Sequence, residues 1–322
     1  PNIAQVYEAG ATALGRPYFA MELVEGNPIT AHCEADALTL SQRLELFIAV
    51  CAGIEHAHQK GIIHRDLKPS NILVARGVPK VIDFGVAKAT QESDSQHSLF
   101  TKQTQLLGTP AYMSPEQAAS GGLDVDTRTD VYSLGVVLYE VLCGEVPFDP
   151  ERLQSSGMAG IQRILTEEVP SNPSTRITRE RHGEQAQDFR SRLRGELDWV
   201  VMKALAKERD RRYDSASSLA ADLRRFLEGD AVSAAPPSKV YHLRKSIHRH
   251  KVAVSVAGVV MLALALGLFV SIMQTQRANR ALRGEAMARH EAAMTVADLY
   301  TRSGLVEADK GENALAALRF AN

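Results

Sequence analysis

The chain of 322 residues has few cysteines, almost no charge imbalance and no glycine-rich phosphate loop. Its three cysteines, Cys33, Cys51 and Cys143, are far apart in sequence. They form neither a metal-ligand spacing nor a redox pair, which sets aside zinc and disulfide scaffolds and fits a reducing compartment. Lys and Arg number 37 against 38 Asp and Glu, a net charge of -1. So near-neutral a balance gives no reason to expect a nucleic-acid partner. Gly10 and Gly15 lack the Gly-x-Gly-x-x-Gly spacing and are read as turn glycines between two short strands, residues 3–9 and 17–24. The sequence starts at Pro1 with no methionine or signal peptide, so the expectation is a piece whose start lies upstream.

What is present is 45% hydrophobic, ample for a packed core. Apolar residues Leu44, Phe47, Ile48, Cys51, Ile54 and Ala57 recur at helical steps and predict a core-facing helix, with Ser41 as its cap. His56 and His58 near its end have no further ligands at metal spacing. Ile72-Leu73-Val74 and Lys80-Val81-Ile82 bracket Gly77 and predict a hairpin. Residues 150 to 195 mix prolines and charges of both signs and read as a solvated insert. Helical spacing returns over 197–206 and 219–227, and a linker follows at 228–240, with Gly229, Pro236 and Pro237.

Two motifs dominate. His64-Arg65-Asp66-Leu67-Lys68-Pro69-Ser70-Asn71 is followed by Asp83-Phe84-Gly85, then by Gly108-Thr109-Pro110 and Ser114-Pro115-Glu116. A lone Asp-Phe-Gly would carry little weight, but this order and spacing together make chance improbable. The chain resembles the protein kinase superfamily over residues 1 to about 227. Lys68 in Asp-Leu-Lys-Pro-Ser-Asn resembles the serine/threonine branch. Thr109 through Ala118, with an apolar run after the domain, resembles the bacterial membrane-anchored kinases.

The resemblance implies an α+β, two-lobe fold with a partial β small lobe and a mainly helical large lobe, followed by one transmembrane helix. It implies ATP and Mg²⁺ as cofactors and protein hydroxyls as substrates. Asp66 would orient the attacking hydroxyl, Lys68 would face the transferring phosphoryl, and Asn71 and Asp83 would each hold a Mg²⁺. Met21, the carbonyl of Glu22, the N–H of Val24 and Leu73 would bound the adenine pocket. Arg65 would pair with a phosphate on Thr101 or Thr104, while Thr109 would hydrogen-bond near Asp66 and Lys68. His64 would pack beneath Phe84 together with Val6. Glu116 would pair with Arg212, with Arg211 as fallback, and Asp130 would accept backbone N–H groups of the catalytic loop.

The family's Gly-rich cover, strand lysine and helix C glutamate are not found in this sequence, so the polypeptide from Pro1 is expected to have little or no activity by itself. A pseudokinase scaffold, or a receptor working through its C-terminal segment, is the alternative reading.

Residues 228–251 end in a basic stretch, and 252–273 contain no charge. Twenty-odd apolar residues span a bilayer core, and each Val, Leu, Ile or Phe contributes about 0.3 to 0.6 kcal/mol to insertion. The expectation is a single-pass membrane protein with its kinase domain cytoplasmic and 274–322 a helical segment on the far side. That tail could begin a helical repeat array. A homodimer is left open as a further partner.

Overall fold

The computed structural model describes residues 1–12, 17–84, 110–120, 125–178, 186–238, 241, 245 and 251–309. Two compact units divide at residue 249: Pro1–Arg249 and His250–Asn322.

The first unit opens with an antiparallel pair, β1 (Val6–Ala11) and β2 (Pro17–Met21), in which Val6 faces Met21 and Gly10 faces Tyr18. A second sheet runs in the order β3 (Asn27–Pro28), β4 (Ile72–Ala75), β5 (Val78–Val81), all antiparallel. The β4–β5 hairpin turns through Arg76 and Gly77, both with positive φ (51° and 77°). That backbone is the one a two-residue hairpin needs to match strand twist. Ile3 bridges Val81 in parallel, so β5 is flanked on both sides.

The bulk of the unit is helical. Helix α1 covers Ile29–Ala35 and α2 covers Leu40–Gln59. Leu40, Leu44, Phe47, Val50, Cys51 and Ile54 of α2 are buried. The cap of α2 is Thr39 rather than the expected Ser41. Gln42 N donates to Thr39 Oγ1 and Thr39 N donates to Gln42 Oε1, a reciprocal pair that places the helix start two residues earlier. Short α3 (Pro115–Ser120) precedes α4 (Thr127–Cys143), which is buried along almost its whole length. Asp126 caps α4, and Gly144 ends it in the left-handed conformation.

Next come α5 (Pro150–Ser155), α6 (Gly157–Glu167), α7 (Pro173–Arg176), α8 (Ala186–Leu193), α9 (Glu196–Ala204) and α10 (Ala216–Glu228). The described residues between 150 and 195 are therefore not a solvated insert. Leu153, Ile161, Ile164 and Leu165 close a second small core with Ala111, Ala118 and Phe148, while Ile177 and Leu193 join the main core. The charges that dominate this stretch's composition lie outside those apolar stripes: Arg152 and Glu168, for example, pair at the surface.

Nor does the compact unit stop at 227. Val232 is buried, and Ser233 N and Ala234 N both donate to Asp222 of α10, at 2.8 and 3.0 Å. Tyr241 Oη donates to Glu196 Oε1 at 2.9 Å, Lys245 Nζ reaches the same carboxylate, and the Tyr241 ring meets Trp199 edge-on. The tail is strapped to α9 and α10 because a carboxylate on each, the partly buried Glu196 and the buried Asp222, supplies acceptors for it.

In the second unit the described residues form one helix, α11 (Lys251–Asp309). It is long and apolar enough to cross a membrane, with a mean hydropathy of 2.0 in its most apolar stretch, and Leu262, Leu264, Leu266, Leu268 and Phe269 are all exposed.

Candidate active site

The Asp66 loop hangs from one buried carboxylate. Asp130 sits in the first turn of α4 with no solvent exposure, where its Oδ2 accepts His64 N at 2.8 Å and its Oδ1 accepts Arg65 N at 2.9 Å. The third partner is His58 at the end of α2, whose Nε2 lies 2.7 Å from Asp130 Oδ2. A buried carboxylate with three donors is fully engaged, so it acts as a rigid hook for the loop backbone. His58 belongs to none of the sequence motifs. A His-x-His pattern at a helix end gives no hint of a partner 72 residues away.

His64 is buried and its two nitrogens are used differently. Nε2 lies 3.0 Å from the Ile82 carbonyl oxygen, to which only a protonated nitrogen can donate. Nδ1 accepts Asp66 N at 3.3 Å. The ring is neutral in this arrangement, and burial lowers its pKa below the ordinary histidine value. Phe84 packs against it with ring centroids 4.8 Å apart. Val6, expected beside them, lies on β1 opposite Met21 and is 55% exposed.

The chemistry-bearing side chains follow from this frame. Lys68 Nζ donates to Asp66 Oδ2 at 2.9 Å, and both side chains are partly open to solvent. A single turn of 3-10 helix, Pro69–Asn71, swings Asn71 back so that its Nδ2 donates to the Asp66 carbonyl at 2.9 Å. The Asn71 amide oxygen is then the atom available to a hard cation. Ile82 N donates to Asn71 O at 2.9 Å, which ties the end of β5 to the loop and sets Asp83 next to it. The Asp83 side chain is exposed, and its backbone adopts φ 55°, as Arg65 adopts φ 65°. Two non-glycine residues in the left-handed region at one site are stored strain, held by the surrounding bonds.

Among the described residues no three His, Cys, Asp or Glu side chains gather as a metal cage. A donor set of one amide oxygen and one or two carboxylates fits Mg²⁺, which keeps waters and takes phosphate oxygens for the remaining positions.

The expected nucleotide-side residues are placed as follows. Met21 ends β2, half-buried. Glu22 N donates to Gln5 O at 2.8 Å, and the Glu22 carboxylate pairs with Lys80. That pairing draws its pKa down, helped by a bond from Gln5 N. Val24 is half-buried, and Leu73 sits on β4 opposite Pro28 and Lys80. Thr101, Thr104 and Thr109, with Gly85 and Gly108, lie outside the described residues.

The far end of the intervening segment is anchored by Glu116. Arg212 Nη1 and Nη2 each donate to one Glu116 oxygen at 2.8 Å, and Thr129 Oγ1 adds a bond of 2.7 Å. The remaining Arg212 donors reach the carbonyls of Ala206, Lys207 and Arg128, and the guanidinium lies 5.0 Å over the Tyr132 ring. Arg211, the fallback, pairs with Glu208 instead. Burial pushes the Glu116 pKa up, but the Arg212 bonds overcome it and hold the carboxyl at about 2. Gln117, which sequence reading passed over, connects this anchor to the loop: its Oε1 accepts Ser114 N and its Nε2 donates to Arg65 O at 2.8 Å.

Comparison with known proteins gives the same picture. The protein kinase domain family model matches residues 1–222. Serine/threonine-protein kinase PknB of Mycolicibacterium smegmatis is 39% identical over 239 residues, covering 73% of this chain and 35% of that protein. PknB of Mycobacterium tuberculosis is 40% identical over 240 residues, covering 73% and 34%. A probable serine/threonine-protein kinase of Streptomyces coelicolor is 35% identical over 239 residues, covering 73% and 32%. The chain thus spans about a third of the length of these curated relatives. With a family match over more than half of its length, and with the motif residues gathered as described, the chain belongs to the protein kinase family.

Proposed function

We propose that the protein is a serine/threonine protein kinase that transfers the γ-phosphoryl group of ATP to protein hydroxyls. The observation that carries this reading is the loop in which Asp66 pairs with Lys68 and is bonded through its carbonyl to Asn71, next to Asp83. Asp66 orients the substrate hydroxyl and accepts its proton; Lys68 steadies that carboxylate and places positive charge beside the phosphoryl oxygens. Asn71 Oδ1 and the Asp83 carboxylate would hold Mg²⁺, which neutralises charge on the phosphates when bound. Met21, Glu22, Val24 and Leu73 would receive the adenine, and Arg65 a phosphate on Thr101 or Thr104. The protein substrates are taken by analogy with the relatives' printed names and from Lys68 in the Asp-Leu-Lys-Pro-Ser-Asn run.

The domain plan in this reading is a kinase domain over 1–227, a basic juxtamembrane segment over 228–251 whose described residues pack back onto α9 and α10, one span over 252–273 and a helical segment beyond. The kinase domain would be cytoplasmic, since ATP is there. The flanking basic residues do not decide orientation, because Arg277, Arg280, Arg283 and Arg289 nearly balance Arg244, Lys245, Arg249 and Lys251.

The test is phosphate transfer from labelled ATP to a protein substrate by the full-length protein, followed by phosphoamino-acid analysis. Asp66→Asn and Asp83→Asn should each lower kcat by about a hundredfold or more while the fold survives. Either variant at wild-type rate, or label on tyrosine alone, would remove the assignment.

A further inference from the structure

Lys80 belongs to none of the motifs and the expected adenine contact of Glu22 uses its backbone carbonyl, yet the pairing of the two side chains connects the two halves of the candidate site. Each oxygen of the Glu22 carboxylate has its own donor: Lys80 Nζ on Oε1 and Gln5 N at 3.2 Å on Oε2. Glu22 N in turn donates to Gln5 O, so Gln5 and Glu22 are bonded twice. Lys80 lies on β5, three residues before Asp83. That strand is held on one side by β4 and on the other by the first residues of the chain, where Val81 N donates to Asn2 O and Ala4 N to Val81 O, both at 2.9 Å. Asn2 Nδ2 adds a bond to Pro79 O. The strand carrying Asp83 is thereby fixed, and Lys80 is the side chain that reaches from it to the segment at the end of β2, 58 residues away in sequence.

Both side chains of the pair are partly open to solvent, so its worth to the fold is small. Its effect on placement is another matter. Phosphoryl transfer depends on holding the nucleotide in register with its metal ligands, and small displacements cost much in rate or affinity.

We propose that Lys80 is a positioning residue for ATP: through the Glu22 carboxylate it fixes the segment Glu22–Val24 relative to Asp83, and so sets the separation at which adenine and the metal-held phosphates are received. This rests on the kinase reading above and adds to it a residue that touches neither substrate nor metal.

The experiment uses full-length protein with Lys80→Met, Lys80→Arg, Glu22→Gln and the double variant Lys80→Met/Glu22→Gln. A non-hydrolysable ATP analogue gives Kd, and steady-state kinetics give kcat and the KM of each substrate. Lys80→Met should raise both the analogue Kd and the ATP KM about three- to tenfold, leaving the protein-substrate KM and the melting midpoint in place. Lys80→Arg should restore them, and Glu22→Gln should add nothing on top of Lys80→Met, as expected for two residues acting as one unit. An unchanged analogue Kd in Lys80→Met, equal loss in the Met and Arg variants, or a parallel rise of both KM values would overturn the proposal. Wild-type protein that binds the analogue without turning over ATP would instead remove the kinase reading, and the Kd series would still decide the role of Lys80.

Discussion

Arg212 makes its bonds from inside the protein, with a side chain that has no solvent exposure and a Glu116 partner that is 8% exposed. Breaking such a pair leaves a buried charge without compensation, so Arg212→Ala should cost about 3–5 kcal/mol in denaturant unfolding. Arg212→Lys should recover only part, because one ammonium cannot donate along two parallel directions and also reach three carbonyls. The pH dependence has a definite sign. The Glu116 pKa is held at about 2 in the folded protein against an ordinary 4.5, so its stabilisation is complete above 4.5 and is lost as pH falls towards 2. Melting midpoints should therefore fall through that window, and Glu116→Gln should flatten part of the slope. At this scale the sequence was informative wherever a residue's role is fixed by neighbours in a motif, as for Asp66, Lys68 and Asn71. It was silent on His58 and Gln117, whose partners Asp130 and Arg65 come from distant parts of the chain.

Helix α4 is the element on which the others are mounted, and Gly135 shows how closely. A Cβ at Gly135 would lie 2.8 Å from Ala204 Cβ of α9, closer than real Cβ atoms approach a neighbour. Gly135→Ala should therefore destabilise by about 1–3 kcal/mol through overpacking, read by chemical denaturation, while Ala204→Gly in the same chain should relieve part of it. The strap on α10 offers a second test at this scale. Asp222→Ala removes the acceptor of Ser233 N, Ser233 Oγ and Ala234 N together, and hydrogen exchange at those two amides should accelerate while exchange within α4 does not change. The elements themselves were largely legible from periodicity and turn residues: both hairpins, α2, and the helices closing the lobe. The cap of α2 was not, because Ser is by itself the better capping residue and only the position of Gln42, three places after Thr39, decides for Thr39. The α5–α8 stretch was misread because its many charges obscure a narrow apolar stripe.

For the molecule as a whole, the two units are of different physical kinds. One is built around a buried helical core, and the described residues of the other form a single helix with its apolar side chains exposed. Full-length protein should sediment with membranes and resist alkaline extraction, whereas deletion of 252–273 should release it to the soluble fraction. In sealed cells, protease added from outside should leave the kinase domain intact. Sequence alone made the apolar run legible by its lack of charge, but it put the end of the compact unit too early. The residues after Glu228 carry the composition of a linker, and it is Asp222 and Glu196 that turn them into part of the lobe. The strap they form has a mechanical consequence. A pull arriving along the chain at Lys245 is met first by the Glu196 contacts on α9 and then by the buried Asp222 cluster on α10. The Asp66 loop hangs instead from Asp130 on α4. The strap therefore works as a cable clamp does, taking load from the tail before it reaches the parts whose alignment matters.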